Sequence, residues 1–256
     1  MQGKSIRMNG KGLVSIIIPC YNCSDFIIET IESVMKQSYK ELELIIIDDF
    51  SYDNTVEIIN NINDNRIRLF QNDKNYGAAV SRNRAIKKAK GKWIAFLDSD
   101  DIWLPDKLEK QLDFMIENDY SFTCTNYEKI NANGKKIGKI HKSKQKADYK
   151  KVLFYNPVGN STVMYNVEKI GKVKIPEIQK RNDYALWLKI LKSEKYIYGF
   201  NEITTQYRVR KNSISSNKIK LIKYQWRLYK DIEKFSFVKS SFLVCWWVFI
   251  KFMKIK

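Results

Sequence analysis

Residues 93–97 form an apolar run that leads directly into three carboxylates, Asp98, Asp100 and Asp101. An apolar run of this length bounded by acids is typical of a strand that is buried on both faces of a parallel sheet. Open α/β sheets bind ligands at the carboxyl ends of their strands, where these carboxylates would lie. Because three neighbouring negative charges are unfavourable without a cation, the motif favours a hard divalent metal ion. The alternative is a solvated acidic turn that caps the next helix.

Two further strand-to-helix units precede this run. Residues 13–18 and 42–47 are β-branched apolar runs, and each is followed by apolar residues at helical spacing. Pro19 ends the first run, and Asp48 and Asp49 end the second. The alternation continues to about residue 118, so the sequence predicts an α/β fold with a mostly parallel central sheet and helices on both faces.

The composition limits the possible chemistry. The chain of 256 residues has 46 Lys and Arg against 28 Asp and Glu, and its net charge of +18 implies an anionic partner. The one histidine, His141, excludes a Ser-His-Asp hydrolase and an HExxH metalloprotease. Proton transfer near neutral pH therefore falls to a carboxylate, a thiol, a Lys or a Tyr. Cys20 and Cys23 form a lone CxxC without a second pair, which we interpret as reduced thiols.

Several charged residues near helix starts have both a structural and a functional interpretation. Asp183 stands near the start of a helical pattern, where a carboxylate is favoured as a cap. Arg82 can be a solvated surface residue or can reach a phosphate. Asp48 and Asp49 lie one step before a helix, where an acidic side chain can accept hydrogen bonds from a nucleoside.

The tail, residues 211–256, is predicted to be basic, amphipathic and helical. Apolar residues recur there at spacings of three and four, at Ile219, Ile222, Trp226, Tyr229 and Ile232. The apolar residues 242–250 would rise only about 14 Å as a helix, far short of the roughly 30 Å hydrocarbon core of a bilayer. We expect the tail to lie on an anionic membrane surface. For residues 217–235 the alternative is a helix packed on the core.

The start of the chain gives no sign of a secretory signal. The apolar run of residues 13–18 ends at Pro19 and lacks a small-residue cleavage site. The sequence therefore predicts a cytoplasmic protein that is peripheral on the inner face of the cell membrane.

Five motifs occur in order along the chain. They are Pro19-x-Tyr21-Asn22, Asp48-Asp49-x-Ser51-x-Asp53-x-Thr55, Asn75-x-Gly77, Asp98-x-Asp100-Asp101 and Asp183-Tyr184-x-Leu186-Trp187. Together they resemble the family 2 glycosyltransferases of GT-A fold, over residues 13–210. The resemblance implies an inverting enzyme that extends bacterial surface polysaccharides from nucleotide sugars. It also implies a nucleotide-binding half at residues 13–118 and an acceptor-binding half at residues 119–210, after an N-terminal extension at residues 1–12.

The resemblance also assigns roles to single residues. Asp49 would accept a hydrogen bond from the uracil N3–H, and Asp183 would be the general base. Asp98 would contact ribose or sugar and, with Asp100, would bind Mn²⁺ or Mg²⁺. Asp101 is expected only to cap the next helix. The other donor-binding residues that the motifs imply are Pro19, Tyr21, Asn22, Asn75, Gly77 and Arg82.

The sequence departs from the family pattern at three positions. Asn182 stands where relatives carry an acid before the base, so Asp183 is the carboxylate that this motif retains. Arg208 and Arg210 stand where relatives often carry a histidine, and we predict that they form a positive clamp on the donor diphosphate. Residues 225–227 do not match the signature of processive relatives, so transfer of one sugar per encounter is expected.

The predicted reaction moves one hexose, glucose or galactose, from a UDP-sugar to a sugar-diphosphate-polyprenol acceptor of O-antigen, capsule or another surface polysaccharide. The alternative is a metal-dependent nucleotidyltransferase acting on sugar phosphates, although the expected Gly-rich phosphate loop is not present near the N-terminus. A phosphatase of the haloacid-dehalogenase type is disfavoured because its DxD ordinarily lies on the first strand. A nucleic-acid partner is not expected, because carboxylates at three strand ends would repel phosphates.

Overall fold

The structure, a computed structural model, describes residues 10–210 and 218–253. Within these residues ten strands form one sheet. They are β1 (Val14–Cys20), β2 (Leu42–Asp48), β3 (Ile67–Gln71), β4 (Trp93–Phe96), β5 (Ile102–Trp103), β6 (Phe122–Ile130), β7 (Lys136–His141), β8 (Lys146–Ala147), β9 (Met164–Asn166) and β10 (Ile197–Arg208). The described helices are α1 (Ile27–Met35), α2 (Thr55–Asn60), α3 (Ala78–Lys88), α4 (Lys107–Glu117), α5 (Tyr149–Phe154), α6 (Val167–Ile170), α7 (Asn182–Ile190), α8 (Lys218–Arg227) and α9 (Phe237–Phe252). A 3₁₀ turn covers Asn160–Thr162, and a π-helical segment, Leu228–Ile232, follows α8 directly.

The long ladders of the sheet are parallel. Strands β3, β2, β1 and β4 lie side by side as parallel neighbours, and β6 pairs in parallel with β10. Strand β9 joins these two groups, because it is antiparallel to both β4 and β6. Strand β5 pairs antiparallel with β10 at the end of the sheet, and β7 and β8 pair beside β6 and β10. The predicted α/β fold is confirmed, with β9 as an antiparallel strand inside it.

Both faces of the sheet are covered, which explains why the strand sequences are apolar without alternation. In β1, Ile16 and Ile18 belong to one hydrophobic cluster and Ile17 belongs to the other, and all three are fully buried. Helices α1 and α4 cover the first cluster, while α3 and α7 cover the second. The helix that begins at Asn182 is thereby fixed against the same sheet that carries the acidic motif.

The segments that follow β1, β2 and β4 meet at one edge of the sheet. The amide of Asp49 donates to the Cys20 carbonyl at 2.8 Å, which joins the first two segments. The Thr30 hydroxyl of α1 donates to the Asp101 carbonyl at 2.9 Å, which joins the first and third. Because parallel strands end at the same edge, the sequence motifs that follow them converge there as predicted.

The tail packs on the domain where the structure describes it. Leu228, Tyr229 and the α9 residue Leu243 are at most 1% exposed and belong to the same hydrophobic cluster as α7. The alternative expected for residues 217–235, packing on the core, is therefore confirmed for their described part. Helix α9 has 16 residues, and none of the helices described within residues 10–210 and 218–253 is long and apolar enough to cross a bilayer.

Candidate active site

Asp98 lies just beyond the carboxyl end of β4 and faces two hydrogen-bond donors. Its Oδ1 accepts from Arg82 Nη2 at 2.6 Å and from Asn160 Nδ2 at 2.7 Å. Its Oδ2 has no hydrogen-bond partner among the described residues, and the side chain is 30% exposed. One carboxylate oxygen of Asp98 is therefore available to a ligand.

Asp100 forms an ion pair with Arg210, with 2.6 Å between Oδ2 and Nη2. Burial and the nearby charge of Asp98 raise the pKa of the Asp100 carboxyl, and the Arg210 guanidinium acts in the opposite direction. A divalent cation at this place would favour the charged carboxylate in the same way as Arg210 does. Arg82 and Arg210 thus each pair with one oxygen of an aspartate of this turn, and a cation could still approach the other carboxylate oxygens.

Asp101 does not cap the next helix, so that expectation is wrong. Helix α4 begins at Lys107, with Asp106 as its N-cap residue. Asp101 is instead fully buried: Oδ2 accepts from the Ser161 hydroxyl at 2.5 Å, and Oδ1 accepts from the Arg208 amide at 2.9 Å. Burial raises the pKa of its carboxyl well above the ordinary value, and the charges of the two preceding aspartates add to this. Asp101 fastens the acidic turn to β10 and to the 3₁₀ turn.

Arg82 bridges the acidic turn and helix α7. Its side chain is 8% exposed, Nη2 donates to Asp98, and Nη1 donates to Asn182 Oδ1 at 2.7 Å. The expectation that Arg82 is a solvated surface residue is wrong, because its guanidinium is buried between protein partners. The Asn182 amide, which replaces the family's acid, is the group that receives Arg82.

Arg208 is not placed to clamp a diphosphate in this structure. Its side chain is 1% exposed, and all three guanidinium nitrogens donate within the protein: Nη2 to Glu29, Nη1 to the Ala132 carbonyl and Nε to the Asp100 carbonyl. The prediction that Arg208 clamps the donor diphosphate is therefore wrong, because its guanidinium holds the backbone of the acidic turn. Arg210, whose side chain is 34% exposed, is the arginine that remains at the open side of Asp100.

Asp49 organises the loop before α3. Its Oδ1 accepts from Asn72 Nδ2 at 2.7 Å and from the Tyr76 amide at 3.0 Å, and its Oδ2 accepts from the Gly77 amide at 2.7 Å. Gly77 has φ +88°, a left-handed conformation that favours glycine. A carboxylate offers about four acceptor sites, so Oδ2 retains capacity for one more N–H donor. Asn75, between these anchors, is exposed.

The turn after β1 brings an exposed aromatic pair to the same edge. Pro19 precedes the last residue of β1, and Asn22, with φ +45°, accepts from the Tyr52 amide at 3.0 Å through Oδ1. The rings of Tyr21 and Tyr52 lie edge to face with 6.2 Å between their centres. Tyr21 is 45% exposed and Tyr52 is 83% exposed, so both present aromatic surface to a ligand. Sequence reasoning did not identify Tyr52, although it lies inside the second motif.

Asp183 lies in the first turn of α7 with its carboxylate unengaged. Among the described residues it has no hydrogen bond or ion pair, and its side chain is half-buried. The N-cap residue of α7 is Arg181 and no side chain makes a capping hydrogen bond there, so Asp183 stabilises this helix only through its position in the first turn. A carboxylate that is positioned by a helix and is not hydrogen-bonded is able to accept a proton from a substrate hydroxyl.

Sequence reasoning also missed Asn160, Ser161 and Glu29. Asn160 donates to Asp98, the Ser161 hydroxyl accepts from the Asp98 amide at 3.1 Å, and Glu29 pairs with Arg208. None of these residues belongs to a recognisable motif. Only the 3₁₀ turn carried a signal in the sequence, because Gly159 precedes three polar residues, Asn160, Ser161 and Thr162.

The acidic turn has the donor chemistry of a divalent-metal site. Within residues 10–210 and 218–253 no three His, Cys, Asp or Glu side chains converge closely enough to hold a metal alone. Asp98 Oδ2 and Asp100 Oδ1 are nevertheless without hydrogen-bond partners in this part of the chain. Mg²⁺-type sites commonly use one or two carboxylates and complete their coordination with substrate phosphates and water. The residues present fit that arrangement.

Comparison with known proteins then decides the family. The model of glycosyl transferase family 2 matches residues 15–174, more than half of the chain. The chain belongs to glycosyltransferase family 2. The predicted enzyme class is thereby confirmed, and nothing in the comparisons supports the nucleotidyltransferase alternative.

Two bacterial relatives are similar to this family 2 glycosyltransferase over most of its length. It is 41% identical over 248 residues to TuaG of Bacillus subtilis (strain 168), named as a glycosyltransferase of teichuronic acid biosynthesis, with 96% of each chain covered. It is 44% identical over 222 residues to WfgD of Escherichia coli, a UDP-Glc:α-D-GlcNAc-diphosphoundecaprenol β-1,3-glucosyltransferase, with 86% of each chain covered. These relatives confirm the bacterial surface-polysaccharide context of the family resemblance.

Two solved structures share the fold of this glycosyltransferase. S. aureus TarS 1-349 in complex with UDP-GlcNAc has a TM-score of 0.71 and 20% identity, covering 90% of this chain and 70% of that chain. The Pyrobaculum calidifontis mannosyltransferase PcManGT, in complex with GDP-Man and Mn²⁺, has a TM-score of 0.66 and 16% identity, covering 87% and 64%. At such low identity the likeness concerns the fold, and it confirms the GT-A architecture.

Proposed function

We propose that this glycosyltransferase moves one hexose, glucose or galactose, from UDP to a saccharide that is linked through diphosphate to a polyprenol. The product would belong to O-antigen, capsule or another bacterial surface polysaccharide. The observation that carries the proposal is the convergence of Asp98, Asp100 and Arg210 at the sheet edge, with Arg82 joining this edge to the helix of Asp183. The named reaction of WfgD supports the choice of a UDP-hexose and of a lipid diphosphate acceptor.

The chemistry assigns the proton to Asp183. Its carboxylate takes the proton of the acceptor hydroxyl while that oxygen forms a bond to C1 of the donor sugar. The bond between C1 and the UDP oxygen breaks on the opposite face, which inverts the configuration and releases UDP. Arg210, on the open side of Asp100, stabilises the negative charge that appears on the leaving diphosphate.

A divalent ion, Mn²⁺ or Mg²⁺, is assigned to Asp98 and Asp100. When bound, it would add positive charge next to the oxygens of the donor diphosphate. The PcManGT complex with Mn²⁺ supports a metal in this fold. Arg208 and Asp101 contribute by holding the backbone of the acidic turn in place.

The donor nucleoside is assigned to the edge formed by the first three motifs. Asp49 Oδ2 has room for the uracil N3–H beside Gly77, and Tyr21 with Tyr52 offers aromatic surface to the ring. Asn22 links the first two motifs through its hydrogen bonds with Ser51 and Tyr52, and we assign Pro19 and Asn75 to the same donor edge. This division places the nucleotide in residues 13–118 and the acceptor in residues 119–210.

We assign the tail to the anionic inner surface of the cytoplasmic membrane, beside the lipid-linked acceptor. Helix α9 has an outer face formed by Val238, Phe242, Trp246 and Phe249, whose exposed fractions run from 38% to 77%. An exposed apolar face of this size on a helix with basic residues is typical of interfacial helices. Lys239 and Lys251 lie near the two ends of α9, and the net charge of +18 favours an anionic lipid surface.

A donor screen tests the proposed reaction. The purified full chain would be incubated with Mn²⁺, a synthetic N-acetylhexosamine-diphosphate lipid and each of a set of UDP- and GDP-sugars, and products would be identified by mass spectrometry. We expect a single added hexose from UDP-glucose or UDP-galactose. Transfer from a GDP-sugar alone, or addition of several sugars, would contradict the proposal.

A further inference from the structure

Arg181 is a cation next to the candidate base, and among the described residues it forms no ion pair at contact distance. It immediately precedes Asn182 and Asp183, and its φ of +67° is a left-handed conformation that is unfavourable for a residue with a side chain. Among the described residues its guanidinium has no carboxylate within ion-pair distance and no hydrogen bond. Its Nε is buried and unsatisfied. A half-buried guanidinium of this kind is stabilised by an anion that arrives with a ligand.

The surroundings of Arg181 connect it to the inner side of α9. The guanidinium carbon lies 4.9 Å from the ring centre of Trp247, on α9. Trp247 is on the opposite side of that helix from Phe242 and Phe249, which are exposed. Burial lowers the pKa of Arg181, and the charge of Asp183 acts against this. Arg181 therefore lies between the candidate base and helix α9, on the side of that helix away from its exposed apolar face.

We infer that Arg181 binds the diphosphate of the lipid-linked acceptor. In such an acceptor the diphosphate lies between the sugar that reacts and the polyprenyl chain that stays in the membrane. Arg181 lies next to Asp183 in the chain and contacts helix α9, whose far side carries the face assigned to the membrane. A guanidinium donates two parallel hydrogen bonds to phosphate oxygens, and the Trp247 ring holds its plane from one side. This inference rests on the proposed lipid-diphosphate acceptor and adds the residue that would recognise it.

The test compares acceptors with and without the diphosphate. Arg181→Gln and wild type would be assayed with the N-acetylhexosamine-diphosphate lipid and with a phenyl glycoside of the same sugar. We expect the KM for the diphosphate lipid to rise roughly ten- to hundredfold, the usual effect of losing hydrogen bonds to a charged group. The kinetic constants with the phenyl glycoside, the Kd for UDP and flotation with anionic vesicles should stay within twofold of wild type.

Two further variants keep the test decisive. Arg66→Gln removes an arginine before β3 whose side chain is 26% exposed and lies 2.6 Å from Asp64; it is the matched control and should leave both KM values unchanged. Arg181→Lys keeps the charge without the planar fork, and we expect an intermediate KM. If Arg181→Gln does not fold, inhibition of Arg181→Lys by farnesyl diphosphate gives the same comparison, with a weaker Ki than wild type expected.

The outcomes separate this inference from the proposed function. An Arg181→Gln enzyme whose KM for the diphosphate lipid stays within twofold of wild type would overturn the role of Arg181 while wild-type transfer upholds the reaction. Equal losses with both acceptors would also overturn it, because they would show a structural effect. Loss of UDP binding or of vesicle flotation would assign Arg181 to the donor diphosphate or to lipid headgroups instead. If wild type transfers sugar to no diphosphate lipid, the proposed function itself fails.

Discussion

Arg82 donates to Asn182 at 2.7 Å and thereby ties helix α3 to the first residue of the helix that carries Asp183. The other terminal nitrogen of Arg82 holds Asp98 at 2.6 Å. One buried guanidinium thus sets the relative position of the metal-site acid and the candidate base. An aspartate at position 182 would form an ion pair with Arg82. Asn182 is neutral and only accepts a hydrogen bond, so Asp98 is the carboxylate that pairs with the charge of Arg82.

Replacing Arg82 should impair transfer through both of its contacts. In Arg82→Met, Asp98 loses its cation and Asn182 loses its donor, so we expect kcat/KM to fall roughly ten- to hundredfold. Steady-state kinetics with the UDP-hexose and the diphosphate lipid would measure this. Lys87→Met removes an exposed cation from the same helix and is the control. An Arg82→Met enzyme with the kcat/KM of wild type would show that the bridge does not position the site.

Asp183→Asn should abolish most of the transfer and leave donor binding intact. The amide cannot take the acceptor proton, and loss of a general base typically lowers the rate by about 10²- to 10⁴-fold. Calorimetric titration with UDP and Mn²⁺ should give the wild-type Kd. Glu177→Gln, an exposed change in the loop before α7, is the control. Full activity of Asp183→Asn would reject the base assignment.

Removal of divalent metal should stop turnover. We expect EDTA to abolish transfer and Mn²⁺ or Mg²⁺ to restore it, because Asp98 and Asp100 leave unpaired oxygens at the donor diphosphate. Asp100→Asn should weaken Mn²⁺ binding in the presence of UDP by at least the roughly 10- to 100-fold that loss of an outer-shell partner costs. Electron paramagnetic resonance titration measures free Mn²⁺, with Asp106→Asn at the exposed α4 start as control. Undiminished turnover in EDTA would contradict a metal at this site.

Much of the edge that carries these residues was predictable because it depends on local sequence. A strand that is apolar at every position and ends in acids identifies both the parallel sheet and the edge where its ligand binds. Asp98, Asp100 and Asp49 follow such strands directly, so their convergence needed no knowledge of distant contacts. Asp183 was placed correctly at a helix start for the same reason.

The roles of Asp101 and Arg208 were not predictable, because they depend on partners far away in the chain. From the sequence, Asp101 is expected to cap the helix that follows Pro105. In the structure its carboxylate instead accepts hydrogen bonds from Ser161 and from the backbone of β10. Arg208 is the last residue of β10 and Arg210 follows two residues later, and the sequence cannot tell which of the two side chains points inward. The inward one meets Glu29, which lies in α1.

The tail presented a different difficulty. Residues 237–252 are apolar around most of the helix, so periodicity cannot identify the face that packs on the domain. Tertiary contacts decide this: Leu243 and Ile250 are covered, and Phe242 and Phe249 are not. The sequence indicated amphipathic character, and the fold selects which side remains for a membrane.

Substitutions on the outer face of α9 should release the protein from membranes without unfolding it. Phe242→Ser combined with Phe249→Ser removes two rings that are 57% and 49% exposed and leaves the packed residue Leu243 in place. We expect loss of flotation with anionic liposomes and an unchanged Kd for UDP. Ile140→Ser, at a residue of β7 that is 47% exposed, is the control for an exposed apolar side chain elsewhere. Flotation equal to wild type would reject the assignment of this face to the bilayer.

The buried Lys107 should make the stability of the protein depend on pH. Its side chain is fully buried, donates to Gln111 at 2.7 Å and lies 4.1 Å from the centre of the Trp103 ring, and burial lowers its pKa to about 7 from 10.5. Between these two pKa values the unfolded chain binds a proton that the folded protein lacks. The free energy of unfolding should therefore rise with pH by up to about 1.4 kcal/mol per unit between about pH 7 and pH 10.5, and should not change further below pH 7, where both states carry the proton. Lys107→Met has no titrating ammonium at this position, so the difference in unfolding free energy between wild type and this variant should change with pH across this range. For the exposed control Lys36→Met, the same difference should stay constant. Chemical unfolding monitored by tryptophan fluorescence from pH 6 to about pH 10 measures both. Parallel curves for wild type and Lys107→Met would mean that the ammonium stays charged against the Trp103 ring.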